Sequence, residues 1–337
     1  MTQVFASTGG DLPLAAPDRK LPRIAALDTW RGIALLAMAT YHFSWDLEFF
    51  GYLEPGTTGA GAFKIYARLI AGTFLFLAGI SLVLGHTPMF RARSFGIRFA
   101  KIAGAAAVIS IVTWFAVPDG FIFFGILHSI AAASLIGCLF LRAPAILTLL
   151  VAAAIFMAPS YLRMPLFDTP ALWWVGLSTI PIRSNDFVPL FPWLAPFLAG
   201  MAATQAAVRY GWLSALASGD KPQSRWMRFF GTAGRHSLAI YLIHQPLLIG
   251  CVYLFSLVMP AAVPDPVEAY RNSCVAACGP QQTAGFCATF CDCTLDRLME
   301  QSLFEPLNNG EIDVNTDPRI ARMSAECSAD VPQEGSK

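Results

Sequence analysis

The sequence predicts an all-α fold: a polytopic bundle of transmembrane helices followed by a small disulfide-rich tail. Three observations carry this reading. Of 337 residues, 55% are apolar and 13% charged, whereas soluble domains carry about 25% charged residues. The mean hydropathy is +0.55. Several apolar runs also reach the roughly 20 residues needed to cross a hydrocarbon core about 30 Å thick. The net charge of +1 argues neither for nor against nucleic-acid binding, and no nucleic-acid partner is expected.

Residues 1–22 form a polar lead containing Pro13, Pro17 and Pro22. They lack the apolar core and small-residue cleavage site of a signal peptide, so the lead is expected in the cytoplasm. A membrane domain is expected over 23–259, with about seven spans at 27–50, 63–85, 99–117, 121–141, 143–162, 188–208 and 236–259. The apolar run 171–182 is too short to cross and is expected at the interface or as a re-entrant segment. A tail of residues 260–337 completes the chain.

Orientation follows from lysine and arginine. Arg19, Lys20 and Arg23 precede the first span, and Arg91, Arg93, Arg98 and Lys101 lie between or just inside the second and third. Arg142 falls between the fourth and fifth, and Arg209, Lys221, Arg225, Arg228 and Arg235 between the sixth and seventh. With seven spans these loops share one side. The N-terminus is then expected to be cytoplasmic and the tail extracytoplasmic.

Cysteine usage gives the same orientation. Six of the eight cysteines, Cys274, Cys278, Cys287, Cys291, Cys293 and Cys327, fall in the tail, where an even set reads as disulfides formed in an oxidising compartment. Cys274 and Cys278 share one helical face, as do Cys287 and Cys291. A turn at Gly279-Pro280 would pair Cys274 with Cys291 and Cys278 with Cys287, leaving Cys293 for Cys327. Zinc is the rival reading, but the tail holds no histidine; disulfides are favoured and no metal is expected.

Ionisable groups within spans are costly and are candidate functional groups. In the first span Arg31 and His42 are eleven residues apart, three turns plus about 20°, so they share a face and are separated by about 16 Å. Asp28 and Asp46 flank this stripe. Arg31 reads equally well as a snorkelling cation paired with Asp28 or as a ligand contact. His42 is a candidate base, with Asp46 one turn away to orient its ring. His128 and His244 lie in the fourth and seventh spans, the latter with Ser237 on its face and Pro246 two residues on. The three histidines together suggest a polar cavity. His86 reads as a loop residue and His236 as a helix cap.

The segment Leu27-Asp28-x-x-Arg31-Gly32 with His42 and Asp46 resembles the first helix of bacterial membrane proteins related to the catalytic domain of heparan-α-glucosaminide N-acetyltransferase. Gly125-Ile126-Leu127-His128, the run from Asp186 to Trp193, and Ser237 to Pro246 resemble further landmarks of that family. More distantly, Arg-x10-His is similar to the acyltransferase-3 membrane acyltransferases, though their Arg-x-x-Arg is here Arg98-Phe99-Ala100-Lys101. The resemblance covers about 23–259 and excludes the tail. It implies transfer of an acyl group, acetyl foremost, from cytosolic acyl-CoA to an extracytoplasmic glycan or glycolipid.

His42 would then be the general base or acyl acceptor, with Arg31, Asp46, His128 and His244 as further candidate catalytic residues. Arg91, Arg93, Arg98 and Lys101 would attract CoA phosphates, or serve only as positive-inside anchors. No bound cofactor is expected; acyl-CoA is a co-substrate and the lipid bilayer a partner. The alternative function is a transporter or channel using the His/Arg/Asp stripe as a solute or proton path, although no second copy of the stripe marks an inverted repeat.

Overall fold

The computed structural model describes residues 24–87, 89–212, 224–262, 265–279, 282–314 and 317–331. The N-terminal segment with Arg19, Lys20 and Arg23, together with Lys221 and the Pro280 half of the expected turn, lies outside the described residues. The regular structure is helical, with no strand among the described residues. The chain divides into two units, residues 1–44 with 59–250, and residues 45–58 with 251–337.

The first unit contains α1 (Ala25–Phe49) up to Ser44, α2 (Gly61–His86), α3 (Ala92–Ala116), α4 (Ile126–Phe140), α5 (Ala145–Tyr161), α6 (Leu190–Arg209), α7 (Arg225–Arg235) and α8 (Ser237–Val258) up to Gly250. Helix α6 packs against both α2 and α5. The core around it contains Leu75, Leu82, Val83, Phe197, Leu198 and Met201. Glycine is what lets α2 and α6 approach so closely. A Cβ on Gly79 would stand 2.0 Å from the Phe197 carbonyl oxygen, and one on Gly200 would stand 2.1 Å from that of Phe76. Small residues serve this purpose where helices pack in lipid, since no hydrophobic drive exists there.

Seven of these helices match the seven expected apolar runs, with shifted ends. Helix α3 begins at Ala92 rather than 99 because Ala92, Arg93 and Arg98 are good helix formers and carry the helix past its apolar stretch. Helix α4 begins only at Ile126; the preceding phenylalanines run non-helically to an extended Gly125. Three helices, α2, α3 and α8, are long and apolar enough to cross a bilayer. Helices α4 and α5, of 15 and 17 residues, rise about 23 and 26 Å. Apolar side chains such as Phe115 and Phe156 stand exposed at 80% and 63%, an outer surface suited to acyl chains rather than water. The run 171–182 forms a 3-10 turn at Pro170–Val175, after which Ser178 and Thr179 hydrogen-bond back to the Asp168 carboxylate.

The second unit holds the tail helices α9 (Pro266–Cys278), α10 (Ala284–Glu300), α11 (Phe304–Asn308) and α12 (Pro318–Asp330). Asp265, Thr283 and Asp317 cap α9, α10 and α12 by accepting a backbone N–H. Pro266 and Pro318 occupy the first turns, where a missing N–H costs nothing. Leu295, Leu298, Leu303, Phe304, Ile320 and Met323 form a separate core. Disulfides join Cys274 to Cys291, Cys278 to Cys287 and Cys293 to Cys327, the pairing that the helical spacing predicts.

Candidate functional site

The first unit encloses a cavity of about 300 Å³ between α1, α2, α3, α4, α7 and α8. Four cations line it: Arg31, Arg98, Lys101 and Arg235. No carboxylate lies among its lining residues, and the rest of the wall is mainly apolar. Glycine again sets the geometry. A Cβ on Gly234 would lie 1.8 Å from the Asp28 carbonyl oxygen, and one on Gly32 would lie 2.1 Å from that of Phe230. Helix α7 therefore presses onto the start of α1 and delivers Arg235 to the wall. Arg31 is held by Asp28 at 2.9 Å and by the Ser81 hydroxyl on α2. Arg98 and Arg31 are close enough to repel. Clustered guanidinium and ammonium groups in a low-dielectric wall suit a polyanion, phosphate above all.

The cavity does not take in every expected cation. Arg98 and Lys101 line it, whereas Arg91 and Arg93, at the N-terminal end of α3, do not.

Tyr241 on α8 lines the cavity and packs against His244 at a tilt, with ring centroids 5.7 Å apart. The His244 ring lies 5.0 Å from that of His42 on α1. Beneath the pair, Leu35, Met38 and Ile70 pack with Tyr41, Tyr66, Ile240 and Tyr241, fixing α1, α2 and α8 to one another. His244 Nδ1 lies 2.7 Å from the Tyr241 carbonyl oxygen. A carbonyl only accepts, so Nδ1 carries the proton and Nε2 keeps its lone pair. That Nε2 is buried with no hydrogen-bond partner among the described residues. An unmet acceptor beside a second imidazole is equipped to take up a proton.

His128 is placed differently. Its Nδ1 accepts from the Gly125 N–H at 3.2 Å, so Nε2 is protonated and donates to Ser110 Oγ at 3.1 Å. Ser110 in turn donates to the Ile122 carbonyl. The structure thus brings His42 and His244 together and sets His128 in a closed hydrogen-bond chain that ties α3 to the start of α4. Asp46 is fully buried in the second unit. His86, expected in a loop, is instead the buried last residue of α2. There its Nδ1–H meets the Leu82 carbonyl at 2.8 Å and its ring is flanked by Phe90 and Phe95. His236 caps α7, as expected.

Three residues join the site without having been singled out for a role. Tyr241 precedes His244 by three residues, so helical spacing alone places it on the same side of α8. Arg235 reads in sequence as one more loop cation. Asp186 accepts from the Ile126 N–H at 2.9 Å and interacts electrostatically with Tyr241. The residue keeps partial exposure, but its carboxyl is the enclosed end, against Gly125 and Ile126. That burial pushes its pKa up to about 6 against the opposing pull of the Ile126 hydrogen bond.

No curated protein and no solved structure matches the chain. A family model, described as heparan-alpha-glucosaminide N-acetyltransferase, catalytic, matches residues 23–246, a stretch that holds the cationic cavity, Tyr241 and both paired histidines. The chain therefore belongs to the heparan-alpha-glucosaminide N-acetyltransferase catalytic family.

Proposed function

We propose that this integral membrane protein transfers acetyl from acetyl-CoA to a sugar or glycolipid acceptor, with His42 and His244 as the reacting pair. Family membership supports an acetyltransferase-type activity. Tyr241 is the observation that carries the finer reading: it is at once a wall of the cationic cavity and a neighbour of His244, so the two features are contiguous. The CoA phosphates would bind Arg31, Arg98, Lys101 and Arg235, and the pantetheine arm would run along α1 and α8. Arg31 and His42 are about 16 Å apart along α1, a separation that an extended arm covers.

At the pair, one imidazole takes the proton of the acceptor amine or hydroxyl as its lone pair attacks the thioester carbonyl. The C–S bond then breaks and CoA leaves as the thiol. Direct attack and prior transfer to His42 use the same two rings. Cations at one end and neutral imidazoles further along give the protein a direction. In the proposed orientation the about seven spans start with a cytoplasmic N-terminus, the cavity opens to cytosolic acetyl-CoA, and the disulfide tail faces the periplasm.

The test is transfer of labelled acetyl from acetyl-CoA to glucosamine and to a glycolipid panel by purified protein. His42→Ala is expected to lower transfer by about 10²–10⁴-fold while leaving the folded protein intact. Transfer at the unaltered rate in that variant removes His42 from the chemistry, and no transfer to any acceptor by the unaltered protein defeats the assignment.

A further inference from the structure

Helix α7 carries three different faces on eleven residues. At about 100° per residue, Gly231 and Gly234 fall on one side, and these are the residues that meet Thr29 and Asp28 of α1. Trp226 and Phe229 fall on a second side and are exposed at 74% and 64%. Arg225 and Arg228 fall on a third, also exposed. Exposed tryptophan and phenylalanine beside arginine form the pattern of a helix lying in a membrane interface.

The depth of α7 is fixed independently. Only His236 separates it from α8, one of the helices able to cross the bilayer. Its packed face lies on the first two turns of α1. Helix α7 therefore stands where a span begins, at the boundary between headgroups and acyl chains. Aromatic side chains there enter the acyl layer, and the adjacent arginines meet phosphate.

We propose that α7 is an interfacial anchor for anionic phospholipid, with Trp226 and Phe229 in the acyl boundary and Arg225 and Arg228 on the headgroups. The surface does not depend on the acetyltransferase reading. Because Arg235 of the same helix lines the cationic cavity, lipid bound at α7 would also steady that wall.

Full-length protein in nanodiscs tests both halves. With lipids brominated high on the acyl chain, tryptophan quenching should fall in Trp226→Phe; unchanged quenching overturns the proposal. Preference for phosphatidylglycerol over phosphatidylcholine, read from lipid retained through purification, should fall up to about thirty-fold in Arg225→Gln/Arg228→Gln, at about 1 kcal/mol per cation. It should be kept in Arg225→Lys/Arg228→Lys. A preference unchanged in the glutamine variant, or lost equally in the lysine variant, overturns the assignment to anionic headgroups.

Discussion

If His42 and His244 act as one unit, removing either should cost about as much as removing both. The two rings stand 5.0 Å apart. Tyr241 holds His244 with its proton on Nδ1, so Nε2 is the basic atom. A positioned base contributes about 10²–10⁴-fold, or about 3–5 kcal/mol of barrier. Either alanine variant is therefore expected to lose that much in kcat. The double variant should lose no more than the worse single, a coupling of about 3–5 kcal/mol in the mutant cycle. KM for acetyl-CoA should stay within about twofold, because the cavity cations begin about 16 Å away along α1. Initial rates with labelled acetyl-CoA on the four proteins read all of these. Losses that multiply in the double variant would show two independent groups and refute the shared-proton reasoning. A KM that rises with kcat unchanged would move the pair to binding.

Arg98→Gln should do the reverse, raising KM for acetyl-CoA about 10–100-fold with kcat nearly kept, since a charge-assisted hydrogen bond contributes about 1.5–3 kcal/mol. Gly200→Ala places a Cβ 2.1 Å from the Phe76 carbonyl oxygen and should lower stability by about 1–3 kcal/mol, read as a lower Tm in detergent. The Cys293–Cys327 bridge spans a sequence separation of 34, and its loss in Cys293→Ala/Cys327→Ala should cost the tail about 3.8 kcal/mol by loop entropy, read by urea unfolding. Asp186, at about 6 against an ordinary 3.8, is favoured in its protonated form by folding. Native stability should therefore fall as pH rises from about 4 to about 6 and stay lower above that, by up to about 3 kcal/mol. Asp186→Asn keeps an acceptor for Ile126 and should flatten that slope; an unchanged slope would show that Asp186 is not its source.

The helices were legible because lipid leaves the backbone few choices: a long apolar run must satisfy its own hydrogen bonds, and the helix does so. Their ends were less legible. Hydropathy stops counting at Arg98, but the α3 backbone continues through Arg93 to Ala92. The tail's disulfides were readable because a spacing of four residues already fixes a face on α9 and α10. The pairing of His42 with His244 was not readable, since it depends on how α1 and α8 pack. His128 shows the same difficulty from the other side. It sits in an apolar helix much as His244 does, yet its two nitrogens are occupied by Gly125 and Ser110, partners that only the fold supplies.

Hydrogen-bond accounting separates His128 from His244, while His86, whose Nε2 is likewise buried without a partner among the described residues, differs from His244 in lacking the second imidazole 5.0 Å away. On His128 both ring nitrogens are satisfied, one as acceptor and one as donor, so protonation would break the bond to Gly125 and gain nothing. On His244 one nitrogen is committed to Tyr241 and the other is buried without a partner among the described residues. Leaving such an acceptor unmet costs about 1–3 kcal/mol, a cost that buys no packing and is recovered when a substrate N–H or O–H arrives. The residue holding His244 in that state is also a wall of the cavity that gathers four cations. A ligand that fills the cavity would therefore lie against the residue whose carbonyl sets the tautomer.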